Sequence, residues 1–333
     1  MAAPTPLRRG LPVVALGFAV MVLAVVAAPF IGSTPVRFSE VFGSRTPFAD
    51  NVDAQIFFLA RLPRALAAAL VGGTLAAAGV VFQGLLRNPL ATPYTLGVSA
   101  GASLGAMLAI TFGASLPVVG VAGASLAGAF AAVIVVYALA SARHRGLSTT
   151  VLLLAGVTLN SFFSALILFV QYLSDFAETY RALRWLMGDL DVADYAPLVT
   201  ALPLILVALV AFAWLARPLN LLSLGADAAG ARGLNVTQAQ RLAFFSGSLA
   251  TGAAVSVGGP IGFVGIIVPH FVRLLVGADH RLVLPASIFT GAAFLVACDA
   301  LARTVVAPLE LPVGIITALI GGPFFLWLLM RNR

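Results

Sequence analysis

The chain has no lysine, one cysteine and few charges of any kind: charged residues are 9% of its 333, and all 19 basic residues are arginine. Each scarcity excludes something. Cys298 stands alone in an apolar run, so neither a disulfide framework nor a thiolate metal site can form within the chain. Without lysine there is no Gly-x-x-x-x-Gly-Lys-Ser/Thr phosphate loop, and the chain is not itself an ATPase of that class. The sequence shows no Ser/His/Asp or metal-ligand cluster, which argues against an intramembrane enzyme. Nucleic acid would need the net charge of +7 gathered in a soluble domain, whereas the arginines lie at the ends of apolar runs.

What is present is hydrophobic. Apolar residues make up 61% of the chain and the mean hydropathy is +1.07, values that indicate an all-α polytopic membrane protein. A spanning helix takes about 20 apolar residues, and the pattern predicts about ten spans in one transmembrane domain, residues 1–333. The first follows Arg8 and Arg9 and runs from Leu11 to Ile31, longer than the apolar core of a signal peptide. The others are expected near 62–86, 93–112, 117–140, 149–172, 197–215, 241–257, 263–276, 283–302 and 313–330. With both termini inside, the inner segments hold twelve arginines and two acids, among them Arg143 and Arg145 beside His144. The outer segments hold seven arginines, including Arg45, and nine acids. That asymmetry obeys the positive-inside rule.

Ionisable residues within spans usually mark ion or proton paths, and here only Asp299 qualifies. It is placed to pair with Arg303 at i, i+4. Asn160, Ser161 and Ser164 form a polar patch that either lines a pathway or hydrogen-bonds between helices. His270, after Pro269, is read as a hydrogen bonder at a helix start in preference to a metal ligand.

One inner stretch, residues 219–240, is small and polar, and exceeds the roughly 2–8 residues of a helix–helix connection. Leu219, Leu222, Ala226 and Ala229 fall at near-helical spacing, so one or two short amphipathic helices are expected. Such a surface suits a soluble motor subunit docking from the cytoplasm.

Longer motifs carry a family resemblance. Arg61-Leu-Pro-Arg64, Gln83-Gly-Leu-Leu-Arg-Asn-Pro-Leu-Ala-Thr-Pro93 and Leu96-Gly-Val-Ser-Ala-Gly-Ala102 resemble the FecCD-type permeases. So do Gly258-Gly-Pro-Ile-Gly-Phe-Val-Gly-Ile-Ile-Val-Pro-His270 and Glu310-Leu-Pro-Val-Gly-Ile-Ile-Thr-Ala-Leu-Ile-Gly-Gly-Pro323. These are membrane subunits of ATP-binding-cassette importers for iron–siderophore, haem and vitamin B12. The resemblance implies the type II importer architecture: a homodimer of ten-helix subunits in the bacterial inner membrane. Two ATP-binding subunits dock below and a periplasmic binding protein docks above. MgATP is used by the partner ATPase, and this chain binds no cofactor.

The resemblance also assigns residues. Leu219, Leu222, Gly225, Ala226, Ala229 and Gly233 fall in the ATPase coupling segment. Arg61, Arg64 and Arg303 match arginines that meet acidic residues of the binding protein; anchoring of helix ends is the competing role. Asn88, Leu90, Ser148 and Thr149 match the inner gate, although Ser148 and Thr149 could equally cap the fifth span. Asn160 is the pathway candidate from the polar patch itself and not from the resemblance, with hydrogen bonding between helices as the alternative. The expected function is ATP-driven alternating access for a bulky metal chelate, haem or a ferric siderophore ahead of cobalamin. An ion-coupled secondary transporter is the rival from another class, disfavoured by the missing membrane carboxylates.

Overall fold

A computed structural model describes residues 6–43, 46–113, 120–141, 148–191 and 194–331. The expected inner residues Arg143, His144 and Arg145, the outer Arg45, Pro117 at the start of the fourth span and the terminal Arg333 lie outside them. The regular structure among the described residues is all helical, without strands. Helices stand at all ten expected places: α1 (Pro6–Ala27), α4 (Leu62–Leu86), α5 (Val98–Phe112), α6 (Gly120–Ser141), α7 (Thr149–Leu173), α9 (Ala196–Leu222), α11 (Val236–Gly258), α12 (Val264–Val276), α13 (His280–Ala302) and α14 (Val313–Arg331). Between them lie the short α2 (Phe38–Gly43), α3 (Val52–Gln55), α8 (Phe176–Leu186) and α10 (Ala226–Ala231).

Only six helical stretches among the described residues are long and apolar enough to cross a membrane by themselves. Helices α5 and α12, with 15 and 13 residues, rise only about 20 Å each, less than the roughly 30 Å hydrocarbon core. Their missing ends are irregular backbone, which a membrane tolerates only where protein covers it. Before α5 the chain forms a 3₁₀ turn over Pro93–Leu96 and breaks at Gly97, whose φ of 77° suits glycine. The expected third span from Pro93 is therefore interrupted. Before α12, Gly259 and Phe263 both adopt positive φ. Two side chains satisfy the carbonyls there: the Tyr94 hydroxyl donates to Ile261 O at 2.6 Å, and Gln83 Nε2 donates to Gly265 O at 3.0 Å.

Helix α4 is the axis of the molecule. In its extended helical run 83% of the most apolar window is buried, against 6% for α1. Small residues make this possible. A side-chain carbon at Gly72 would overlap the backbone of Gly291 on α13, and one at Gly79 would overlap Gly265 on α12. Around α4 pack α13, α11, α12 and α9, with α1 on the outside of α13. A second group, α5, α6 and α7, joins through α6 and α11, and α5 meets α6 through Gly101, Gly105 and Gly128.

Candidate functional sites at the two ends and along α7

At the end where α1 finishes, α4 and α13 bring charges together inside the protein. Asp299 accepts from Arg64 Nε at 2.8 Å, and its other oxygen lies 3.1 Å from Arg303 Nε, close but not aligned as a hydrogen bond. The expected i, i+4 pair is present, and Arg64 completes it. Arg64 also binds Glu310. Arg303 donates to Ile31 O (2.9 Å) and Ala28 O (3.2 Å), and Arg61 donates to Pro29 O and Thr34 O. Side-chain exposure is 7% for Arg64, 2% for Arg303 and 37% for Glu310. The three arginines expected to meet a partner's carboxylates thus point inward. Burial without pairing would be too costly for a guanidinium, so they are held by this chain's own acceptors, and of the Arg64–Asp299–Arg303–Glu310 group Glu310 is the member that reaches the surface.

At the opposite end, α9 runs seven residues past its expected stop at Leu215, so Leu219 and Leu222 belong to a helix end and are buried. A single short helix follows. Gly225 (φ 107°) starts α10, Gly233 (φ 83°) ends it, and Ala229 faces inward. Ala226 is half-buried. The surface of the segment is made by Leu224, Asp227, Gly230, Ala231, Arg232 and Gly233. Beside it is a polar clasp that the sequence did not announce. Asn220 Nδ2 donates to Asp279 Oδ1 at 2.7 Å, while Asn220 Oδ1 accepts from the His280 N–H at 2.9 Å and faces His280 Nδ1 at 2.7 Å. With that oxygen as acceptor, the neutral imidazole carries its proton on Nδ1. Asp279 also caps α13 through the Arg281 N–H (3.0 Å) and pairs with the Arg281 guanidinium (2.8 Å). The Arg281 side chain, acting against burial and helped by the Arg281 N–H and Asn220, lowers Asp279 to about 2. Asp at an N-cap after Gly277 was the available signal.

Along α7, Asn160 and Ser164 line a groove of about 430 Å³ with Tyr94, Ser99, Ser103 and Gln171, closed at one side by Leu183 and Leu186 of α8. Ser161 turns away and bonds Val157 O. The lining contains hydroxyls and amides but no charge. Sequence reading missed Ser99 and Ser103, whose setting among glycine and alanine reads as helix packing. It also left α8 in a polar connection, although the Asp175–Glu178 capping box marks its start.

The expected gate residues are less joined. Ser148 caps α7, its Oγ accepting from Val151 N at 3.4 Å. Asn88 Oδ1 accepts from Leu90 N at 2.9 Å and shapes its own turn, with Leu90 exposed. No hydrogen bond among the described residues links these two turns. His270 lies inside α12, not at its start, and its Nε2 is buried without a partner among the described residues.

A family model described as the FecCD transport family matches residues 20–331. The chain belongs to this family. Among its relatives, the hemin transport system permease protein HmuU of Yersinia pestis is 39% identical over 328 residues, covering 97% of each chain. The cobalamin import system permease protein BtuC of Halobacterium salinarum is 46% identical over 273 residues, 82% of this chain and 72% of that one. An inward-facing metal-chelate type ABC transporter superposes with a TM-score of 0.82 at 34% identity, covering 97% of this chain and 99% of that one. This FecCD member is a membrane-spanning permease of a metal-chelate type ABC importer, a transport subunit.

Proposed function

We propose that this FecCD permease works as a homodimer in a bacterial inner membrane, with both termini in the cytoplasm. It carries a bulky metal chelate inward by alternating access. The observation behind this reading is the surface of α10, a small exposed helix fixed between two spanning helices in a chain of this family. Two ATP-binding subunits dock there and supply MgATP hydrolysis. Their movement reaches α13 through the Asn220–Asp279–His280 clasp and α4 through the packing of α13 on it. A substrate-binding protein docks at the Arg64 end, where the partly exposed Glu310 pairs with the buried Arg64. Cargo descends along the uncharged groove of α7, in which neutral hydroxyls and amides can exchange contacts without a deep binding well.

Haem or a ferric siderophore is the favoured cargo, supported by the likeness to the hemin permease over nearly the whole chain. Cobalamin is the second reading, supported by the 46% identity to a cobalamin permease. The test is uptake by proteoliposomes holding the permease with its ATPase, supplied with the cognate binding protein and offered each of the three cargoes. Accumulation of one cargo that requires both ATP and binding protein is expected and names the substrate. Accumulation that ignores both would place the chain with ion-coupled transporters.

A further inference from the structure

Six phenylalanines gather on the connection between α1 and α4. Ring centroids lie 5.0 Å apart for Phe30 and Phe57, 5.8 Å for Phe30 and Phe38, 4.9 Å for Phe38 and Phe42, 5.5 Å for Phe42 and Phe57, and 4.9 Å for Phe57 and Phe58; Phe48 joins through Phe58. The cluster is not a sealed core. Phe38 is 67% exposed, Phe42 56% and Phe48 50%, and Ile31, Val52 and Leu59 are exposed beside them. We propose that this cluster is an interfacial anchor, seated at the headgroup–acyl boundary of the leaflet at the Arg64 end. The proposal needs only that the chain spans a bilayer, not that it transports anything.

Depth and continuity choose the occupant. The 21 residues of the apolar stretch Gly10–Phe30, which follows Arg8 and Arg9, rise about 32 Å, close to the thickness of a hydrocarbon core, which places Phe30 at the boundary. Helix α1 packs chiefly on α13 and otherwise shows apolar side chains such as Leu16, Leu23 and Val26 to the lipid. Exposed Ile31 follows on that surface, and Phe30 carries it to Phe38, past the exposed Ser33, Thr34 and Arg37. An apolar patch this size on an aqueous face would be a liability, whereas at the interface it matches an amphipathic anchor.

Charge argues for acyl contact over headgroup attraction. Among the described residues of the connection before Arg61, Arg37 is outnumbered by Glu40, Asp50 and Asp53, and Arg37 is already bonded to Asp53. The loop is preorganised: Asn51 donates to Glu40 O at 2.7 Å, and Gln55 donates to Phe48 O and Ala49 O at 3.0 and 2.7 Å. Its first turn supplies the carbonyls that hold Arg61 and Arg303, so anchoring fixes the α1–α4–α13 side of the molecule against the leaflet.

The experiment uses the full chain in nanodiscs, with Phe42→Cys and, at the cluster's rim, Phe48→Cys, each in a Cys298→Ser background and labelled with a polarity-sensitive dye. Asp227→Cys on α10 is the aqueous reference. Blue-shifted emission is expected, with quenching by shallow nitroxide lipids about twofold or more above that by deep ones, as for a residue within the interface. Phosphatidylcholine and phosphatidylglycerol discs should behave alike. Emission like that of the aqueous reference, without lipid quenching, overturns the proposal. So does shielding that arises only when a binding protein is added, which would reassign the cluster to protein docking. If one cysteine variant fails to fold, the other position decides.

Discussion

Two arginines converge on the buried carboxylate of Asp299, and that arrangement is expensive to disturb. Removing one member of a buried ion pair leaves charge uncompensated at a cost of about 3–5 kcal/mol. Asp299→Asn, which leaves Arg64 only Glu310 and Arg303 only its backbone carbonyls, is expected to lower stability by about 3 kcal/mol, the low end of that range. Glu310→Gln should cost about 1 kcal/mol or less, because its side chain is 37% exposed and solvent screens the pair. Thermal unfolding of the two variants in the same detergent compares them directly, and equal losses would contradict the burial argument. Part of this site was legible in the sequence, since Asp299 and Arg303 are one helical turn apart. Arg64 is 235 residues from Asp299, and no local spacing could reveal that meeting. Nor could spacing tell that Arg61 and Arg303 would find backbone carbonyls. A helix-end arginine reads the same whether it faces a partner or turns inward.

Among the elements, spans were legible because about 20 apolar residues announce a helix whatever surrounds it. The joints were not. The break at Gly97, the extension of α9 to Leu222 and the clasp between α9 and α13 depend on contacts between distant segments. At Gly79 the sequence showed only a small residue, whereas the structure shows backbone-to-backbone approach of α4 and α12. Gly79→Leu should therefore prevent native packing, since overfilled contacts cost about 1–3 kcal/mol or more and here the obstacle is backbone. Gly230→Ala, in α10 with open space around it, should be tolerated. The yield of monodisperse protein checks both. The clasp predicts a pH effect. Asp279 sits at about 2 in the folded chain against an ordinary 3.8, so its contribution is full above about pH 4 and disappears as pH falls toward 2. Solvent screening of this accessible pair holds that contribution to about 1 kcal/mol or less. Asp279→Asn should lower stability at neutral pH and flatten the loss between about pH 4 and 2; an unchanged acid profile would show that Asp279 is not the titrating group.

For the whole molecule, the proposed division of labour sets a docking surface at one end apart from a groove along α7, and two substitutions separate them. Leu224 is exposed just before α10 and packs against little of its own chain. Leu224→Glu should leave the fold intact while weakening association with the ATPase, so that ATP hydrolysis in the complex and uptake fall together. Asn160 lines the groove, on an exposed face of α7. Asn160→Trp should fill part of that space, lowering uptake by an order of magnitude while ATPase co-purification and basal hydrolysis stay as in the parent. The sign of the difference matters more than its size. A coupling defect lowers hydrolysis and flux in proportion, whereas an obstructed path lets hydrolysis continue without flux. If Asn160→Trp instead abolished ATPase association, the groove would belong to an assembly surface. If Leu224→Glu left hydrolysis and uptake untouched, α10 would be excluded as the place where the motor grips the permease.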